Sequence, residues 1–433
     1  MSQLRRRLNL FGLTMIAVGS CVGAGIFVTP GEVAEGLPHA GYLLIVWAIG
    51  GLVALTGALT FAELAGRFPL SGGVYIYLRE AYGKLTAFAY GWAILFIINT
   101  GSMAALALAF SNYLNELIPL SSNGQIVVAV GLLSVLTLIN CLGVEQSQRM
   151  TSAFTVAKLL GILAVVMLAF FFSEPERGSQ LWSLQEQVPD PLITVLLTAL
   201  VGVLWSFGGW HHASYVAGEA IHPQRTVPRA MLLGTVIVTL TYLLINLAYL
   251  LLYTPDQMAA SDRIAAEAVN SVWSGGGDWV AGLVAISIAG TLAIYCMSAP
   301  RIYFAMAQDK SFIPAIAKLH PRFRTPARAM LLQCVWAILL IFFWGNIRDL
   351  LHYVVFMDVL FMALAAIALF HFRRRMGSSS GYRVWGFPII PLIFIGISLA
   401  FCVNKLIAEP IHALVGFCVI VIGLPVFLLQ KTD

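Results

Sequence analysis

The stretch Gly19-Ser20-Cys21-Val22-Gly23-Ala24-Gly25-Ile26-Phe27 interrupts the first long apolar run of this sequence with three glycines. Each glycine in a helix interior is less favourable than alanine by about 1 kcal/mol. A second interruption, Trp205-Ser206-Phe207-Gly208-Gly209-Trp210, lies inside the sixth apolar run. Both stretches therefore predict helices that are broken near the middle.

The composition around these breaks is that of a membrane protein. Of the 433 residues, 60% are hydrophobic and only 10% are charged, whereas soluble domains carry about 25% charged residues. The apolar runs reach the length of about 20 residues that a helix needs to cross a bilayer. They lack the alternation over about 10 residues that is typical of barrel strands. Spanning helices are therefore predicted.

Twelve such runs predict an all-α membrane protein of about 12 transmembrane helices, built as a single domain over residues 1–433. The predicted spans are 11–36, 41–65, 85–112, 125–144, 150–173, 191–219, 228–252, 278–306, 328–345, 350–372, 387–405 and 410–430. The two interrupted spans are five apart. This spacing predicts two inverted five-helix repeats, about 8–173 and about 188–375, followed by two C-terminal helices within about 385–431.

The basic residues indicate the orientation of the chain. If the N-terminus is cytoplasmic, Arg5–Arg7 and Arg373–Arg375 both lie on the cytoplasmic side, and we assign Arg301 to the same side. Cytoplasmic loops are enriched in Lys and Arg, so both termini are predicted to be cytoplasmic. The net charge of +5 then reflects the topology of the chain. Lipid is the expected partner of the basic residues, and nucleic acid binding is not expected.

Broken helices predict a polar binding site in the membrane. Unwinding frees N–H and C=O groups that lipid cannot satisfy, so they must face protein, water or a solute. Amides at a half-helix N-terminus favour a carboxylate, and free carbonyls favour an ammonium group. Together they suit an amino acid. The alternative interpretation is that the small residues only let helices pack closely.

Lys158 is the basic residue that the fifth span carries inside the membrane. A lysine at the centre of a spanning helix costs about 2.5–3.5 kcal/mol, so it is a functional hypothesis by default. We expect its ammonium to donate to carbonyls of the broken first helix, where a sodium-coupled carrier would hold a cation. The alternative is a lysine that snorkels to the membrane surface.

Four other side chains are candidates for binding, gating or support. Asp358, inside the tenth span, is expected to line the site or to take part in proton coupling, or else to anchor a neighbouring helix. Trp205 is expected to cover the solute as a thin gate. Glu219 is expected either to pair with basic residues in an inner gate or to form a surface salt bridge. A structural role is expected for Glu63.

Neither metal nor other cofactor is predicted. The six cysteines have no CxxC spacing and are expected to be reduced and buried. The adjacent pair His211-His212 points in directions about 100° apart on a helix, which does not suit a shared metal ion.

Four motifs follow one another along the chain. They are Gly23-Ala24-Gly25-Ile26-Phe27-Val28-Thr29-Pro30; Ala62-Glu63-Leu64 with Phe68-Pro69-Leu70-Ser71-Gly72-Gly73; Phe207-Gly208-Gly209-Trp210 running to Glu219 and Pro223; and Pro300-Arg301 through Met306-Ala307 to Pro314. With these motifs in this order, the sequence resembles the amino acid–polyamine–organocation superfamily, close to its L-type amino acid transporter branch. The resemblance covers nearly the whole chain.

The resemblance implies the two-repeat fold, alternating access and a specific set of site residues. It implies that amides over Gly23–Gly25 hold a substrate carboxylate, and that carbonyls of Trp205, Ser206, Phe207 and Gly208 hold its amino group. Cys21 and Ala24 match positions that line the site, and Trp205 matches the gating aromatic. Lys158 matches a family lysine that implies transport without sodium. Val74, Trp205 and Ala24 depart from residues common in relatives, which leaves side-chain specificity open.

The sequence is thus expected to encode a carrier and not an enzyme. The predicted activity is sodium-independent secondary transport of neutral L-amino acids, as an exchanger or a proton symporter. A polyamine or other amine carrier, with Asp358 as counter-charge, and a transporter-like solute receptor are the alternatives. No cysteine stands out as a link to an accessory chain, so no obligatory subunit is expected, and a bacterial inner membrane is the expected location.

Overall fold

The computed structural model describes residues 4–37, 39–173, 192–261, 263–343, 347–377, 381–408 and 410–430. These residues are predominantly α-helical and contain no β-strand; a single parallel bridge joins Leu8 to Ala220. The all-α prediction is confirmed.

The spanning helices follow the predicted runs. They are α1a (Leu10–Cys21) and α1b (Gly25–Glu35), α2 (Ala40–Arg67), α3 (Lys84–Leu117), α4 (Ser122–Cys141), α5 (Val144–Phe172), α6a (Leu192–Ser206) and α6b (His212–Tyr215), α7 (Pro223–Leu252), α8 (Gly276–Gln308), α9 (Ala327–Phe343), α10 (Ile347–Met376), α11 (Ile389–Ala408) and α12 (Pro410–Gln430). Short helices at Val74–Tyr82, Pro255–Ala259 and Ile264–Val272 lie in the connections.

Among the described residues, eight helices are individually long and apolar enough to cross a membrane, and the two halves of α1 together form a ninth span. The described parts of α6, α9 and α12 are shorter. Apolar side chains such as Phe171 (76% exposed) and Phe343 (81% exposed) cover the outside. Large exposed apolar surface is unusual for a soluble monomer and indicates contact with lipid. The inverted relation of the two repeats stays a prediction. The predicted start of the second repeat, near residue 188, lies outside the described ranges.

Both predicted breaks are present. The helix α1 bends by 40° between its halves, where the amide of Gly23 donates to the carbonyl of Cys21 at 2.8 Å instead of continuing the helix. The helix α6 stops at Ser206, turns through residues 207–211, and resumes as one helical turn. Gly209 in that turn has a φ of +117°, a conformation that residues with a Cβ rarely adopt.

The broken α1 lies at the centre of the bundle. Every residue of α1a from Gly12 to Cys21 is buried, as expected for a helix that is apolar all round. The half-helix α1a packs against α5, α7 and α8, and α7 also packs along α2. The α1 break therefore faces protein on several sides.

Arg301, which the charge pattern assigned to the cytoplasmic side, has a side chain that is fully buried in α8. The side of the membrane on which it lies stays a prediction. The helix continues past Pro300 to Gln308, so the guanidinium stays inside the protein, where a buried carboxylate pairs with it.

Glu63 has the expected structural role: its carboxylate accepts from Arg67 at 2.8 Å and from the amide of Val384 at 2.8 Å.

Candidate functional site

The ammonium of Lys158 lies in a cage of oxygen atoms at the α1 break. Its Nζ is 2.6 Å from the carbonyl oxygen of Val22 and 3.1 Å from that of Gly19. The carbonyl of Ser287 lies at 3.0 Å, and Oγ1 of Thr291 also lies at 3.0 Å. Lys158 is fully buried. The expected contact with the broken helix is present, and the snorkelling alternative is wrong.

Two hydroxyls of α8 reinforce the same carbonyls. Thr291 Oγ1 is within hydrogen-bond distance of the Gly19 oxygen at 2.8 Å and of the Val22 oxygen at 3.1 Å. Ser287 Oγ donates to the Val22 oxygen at 3.1 Å. Donors from α5 and α8 thus satisfy the carbonyls that the break frees. The interior of a membrane requires this, because lipid offers no hydrogen-bond donors.

The two breaks touch each other. The hydroxyl of Ser20 lies 2.8 Å from the carbonyl oxygen of Gly209, and the thiol of Cys21 lies 3.4 Å from the carbonyl oxygen of Phe207. A Cβ built on Gly209 would be 2.7 Å from the carbonyl oxygen of Ser20. Glycine is therefore required here both by its φ and by the close approach of the two backbones.

Tyr242 of α7 links the C-terminal ends of α1a and α6a. Its hydroxyl lies 2.8 Å from the carbonyl oxygen of Cys21 and 2.8 Å from that of Ser206, and it has one proton to share between them. The ring of Tyr242 packs edge-on against Trp47 and Phe207. These aromatic contacts fix the hydroxyl between α1a and α6a.

A cavity lies beside the α6 break. It is lined by residues of α3, of both halves of α6 and the turn between them, and of α8 and α10: Ile94, Ile98, Asn99, Ser102, Leu204, Trp205, Gly208, Gly209, His211, His212, Tyr215, Tyr295, Val355, Asp358 and Val359. On α3 the lining includes part of the π-helical segment Ile94–Ile98. Such segments occur frequently at functional sites.

The predicted site residues divide between the cavity and the packed break. Trp205, Gly208 and Asp358 line the cavity. Cys21 and Ala24 are buried beside the α1 break and are not among the lining residues, and neither are Gly23 and Gly25, whose nearest side-chain neighbours are Thr291 and Ser206.

Two further predicted residues have contacts of their own. Ser206 Oγ lies 3.1 Å from the carbonyl oxygen of Gly202 and 3.2 Å from Thr29 Oγ1. Phe207 packs on Trp47 and Tyr242. Their roles, and those of the α1 residues, in substrate binding stay predictions.

Glu219 forms a buried ion pair. Its two carboxylate oxygens each accept from the guanidinium of Arg301 at 2.9 Å, and both side chains are at most 1% exposed. The backbone carbonyl of Glu219 accepts from the amides of Arg7 and Leu8. The alternative of a surface salt bridge is therefore wrong. The pair connects the segment after α6 to α8, and the backbone bonds connect it to the N-terminal segment.

Several residues at the site were missed from the sequence. They are Asn99, Ser102 and the histidine pair at the cavity, and Tyr242, Ser287 and Thr291 at the breaks. Each is a polar side chain in an apolar span, and that signal could have found them, because polar residues inside membrane helices tend to face the protein interior. Apolar periodicity gives no indication of which of them meet.

Comparison with known proteins agrees with this architecture. A family model described as "Amino acid permease" matches residues 8–426. The chain is 29% identical to "Large neutral amino acids transporter small subunit 2" of Mus musculus, over 98% of this chain and 81% of that protein. It is also 29% identical to "Serine/threonine exchanger SteT" of Bacillus subtilis (strain 168), over 96% of this chain and 95% of that protein.

A third relative extends the pattern. "Asc-type amino acid transporter 1" of Mus musculus is 29% identical, over 98% of this chain and 81% of that protein. All three relatives are transport proteins and none is an enzyme, and the family match covers nearly all of the helical bundle described above. The chain therefore belongs to the amino acid permease family.

Proposed function

We propose that this protein carries out sodium-independent secondary transport of neutral L-amino acids by alternating access, as an exchanger or a proton symporter. The observation that carries the proposal is the buried ammonium of Lys158, held by oxygens of the α1 break and of α8.

The Lys158 cage supports independence from sodium. Four oxygens surround Nζ at 2.6–3.1 Å, and oxygen atoms are the ligands that hard cations prefer. The lysine supplies a fixed positive charge and three donors to these oxygens. A sodium ion would have to displace the ammonium and overcome its charge, so the site needs no external cation.

The carbonyls and amides of the two breaks support an α-amino acid as substrate. Half-helix termini favour a carboxylate on the amide side, and backbone carbonyls at the other half favour an ammonium group. The names of the relatives agree: the mouse protein is named for large neutral amino acids and the Bacillus protein for serine and threonine exchange. Neutral substrates and exchange are therefore the first expectation.

The motion in this proposal separates contacts between the segment that precedes α1a and the segment that follows α6b. Glu219 binds Arg301 of α8 and the backbone of Arg7 and Leu8, so opening on this side would have to rearrange that cluster. We propose that it acts as a gate, with Trp205 as a second gate at the cavity. The positive-inside pattern puts this side in the cytoplasm, and we propose a bacterial inner membrane.

We propose that the chain works without an accessory subunit. The mouse relative is named as a small subunit, which weakens this expectation. Reconstitution of the purified chain alone tests it directly.

The test is uptake of labelled alanine, leucine and threonine into liposomes that contain only this protein and lipid. Uptake that requires preloaded unlabelled amino acid would support exchange, and uptake driven by an imposed pH gradient would support proton symport. Replacing sodium by choline should change neither rate. Uptake that depends on sodium, or no uptake under either condition, would contradict the proposal. Transport of putrescine in place of amino acids would favour the amine carrier.

A further inference from the structure

Asp358 of α10 has a carboxylate oxygen that lacks a partner. The side chain lines the cavity beside the α6 break, and its Oδ1 is buried with no hydrogen-bond partner among the residues that the structure describes. A buried acceptor without a donor is costly, and more so when it belongs to a carboxylate. This oxygen is therefore available to a ligand.

Asn99 of α3 lines the same cavity and carries a second such oxygen. Gln333 Nε2 donates to the carbonyl of Cys296 at 3.0 Å, which leaves Gln333 Oε1 as an acceptor facing Asn99. Asn99 Nδ2 accordingly donates to Gln333 Oε1 at 3.1 Å. This orientation directs the amide nitrogen to Gln333 and leaves Asn99 Oδ1 buried without a donor within the described structure.

The remaining described groups of the cavity do not supply the missing donors. The described lining includes no Lys or Arg. The hydroxyl of Ser102 donates to the carbonyl of Ile98 in its own helix at 2.7 Å, and His212 Nδ1 pairs with Ser298 Oγ at 2.6 Å. Two residues on two different helices thus line one cavity, and each carries a buried acceptor without a donor among the described residues.

The two acceptors lie apart from the groups expected to bind the amino acid backbone. Those groups belong to α1 and α6, whereas Asn99 and Asp358 belong to α3 and α10. What reaches the α3–α10 side of the cavity is then the side chain of the substrate.

We infer that Asp358 and Asn99 accept a hydrogen bond from the substrate's side chain, so that this carrier selects neutral amino acids with a side-chain hydroxyl or amide group over aliphatic ones. This inference rests on the proposed function and narrows its substrate class. Asp358 is the principal specificity determinant, and Asn99 supplies the second acceptor.

The test is competition against labelled threonine by pairs of amino acids that match in shape and differ in the donor. Threonine and valine form one pair, and asparagine and leucine form another. A hydrogen bond to a charged group predicts at least about tenfold stronger competition by the donor-bearing member of a pair. The first pair reports on a hydroxyl and the second on an amide, and preference for the donor in either pair supports the inference.

Asp358→Leu removes the acceptor and keeps an apolar, helix-compatible side chain. The ratio of the inhibition constant of valine to that of threonine should fall to about one. Asp358→Asn keeps an acceptor and removes the charge, so the preference for threonine over valine should fall severalfold even if the leucine variant does not accumulate. Thr100→Val is the matched control, because that hydroxyl donates to Leu95 of its own helix and lies outside the cavity.

Wild-type uptake with equal competition within both pairs would overturn this inference and leave the proposed function intact. The same holds for ratios that neither Asp358 variant changes. Absence of uptake of any amino acid by the wild type would overturn the proposed function, and this inference with it.

Discussion

Replacing Lys158 by methionine removes the buried ammonium and keeps a long apolar stem. The wild-type ammonium has four oxygen neighbours, of which two are carbonyls of the α1 break. The variant leaves the hydroxyls of Thr291 and Ser287 in contact with the Gly19 and Val22 carbonyls. We therefore expect the bundle to fold while the α1 break loses its fixed charge.

The magnitude follows from the donors that are lost. An ammonium can make three hydrogen bonds at once, and each bond to a charged group contributes about 1.5–3 kcal/mol. Burial of the charge in the membrane offsets about 2.5–3.5 kcal/mol of this. The net contribution of Lys158 to the α1 break is then roughly 1–6 kcal/mol. Because about 1.4 kcal/mol corresponds to tenfold in rate, exchange should slow by at least about fivefold.

The assay is exchange of labelled amino acid in preloaded liposomes at matched protein content, with Lys84→Met as the control. Lys84 lies at the start of α3, where its ammonium is exposed and contacts one carbonyl, so that variant should exchange at the wild-type rate. A Lys158→Met protein with wild-type rate and affinity would refute the reasoning that the ammonium organises the α1 break.

Three further variants test other parts of the structure. Glu219→Gln leaves the buried guanidinium of Arg301 without its charge partner. Because breaking a buried pair costs about 3–5 kcal/mol, the melting temperature in detergent should fall clearly. An unchanged melting temperature would show that the pair is dispensable for stability. Tyr242→Phe removes the hydroxyl that bridges the two broken helices, a loss of about 0.5–1.5 kcal/mol, and exchange rates should fall severalfold with little change in melting temperature. Gly209→Ala combines a disfavoured φ with a collision of backbones, so it should lower both stability and transport, whereas Gly131→Ala, which meets open space in α4, should do neither.

Much of the fold was predictable from the sequence because lipid imposes strict rules on it. A chain with 10% charged residues and repeated long apolar runs must satisfy its backbone within helices. The breaks in α1 and α6 were predictable because glycine weakens helices at identifiable positions. Lys158 was predictable because a buried lysine in a membrane needs acceptors, and the nearest broken helix supplies them.

The failures concern side chains whose partners are distant in the chain. Arg301 was counted only as a topology residue because its charge is what the sequence records, whereas its burial depends on Glu219, which is 82 positions away. Tyr242 was not predicted as the link between the breaks, since a tyrosine in an apolar span looks the same whether it faces lipid or the centre.

The glycine-rich stretch from Gly19 to Phe27 determined by itself that this protein has a broken helix inside the membrane, because the lost helix propensity is a local property. Only the tertiary structure decided that Lys158, Thr291 and Ser287 meet its free carbonyls, and that the open cavity lies toward α3 and α10. Those contacts depend on how the helices are rotated and packed, which the hydropathy of single spans does not encode.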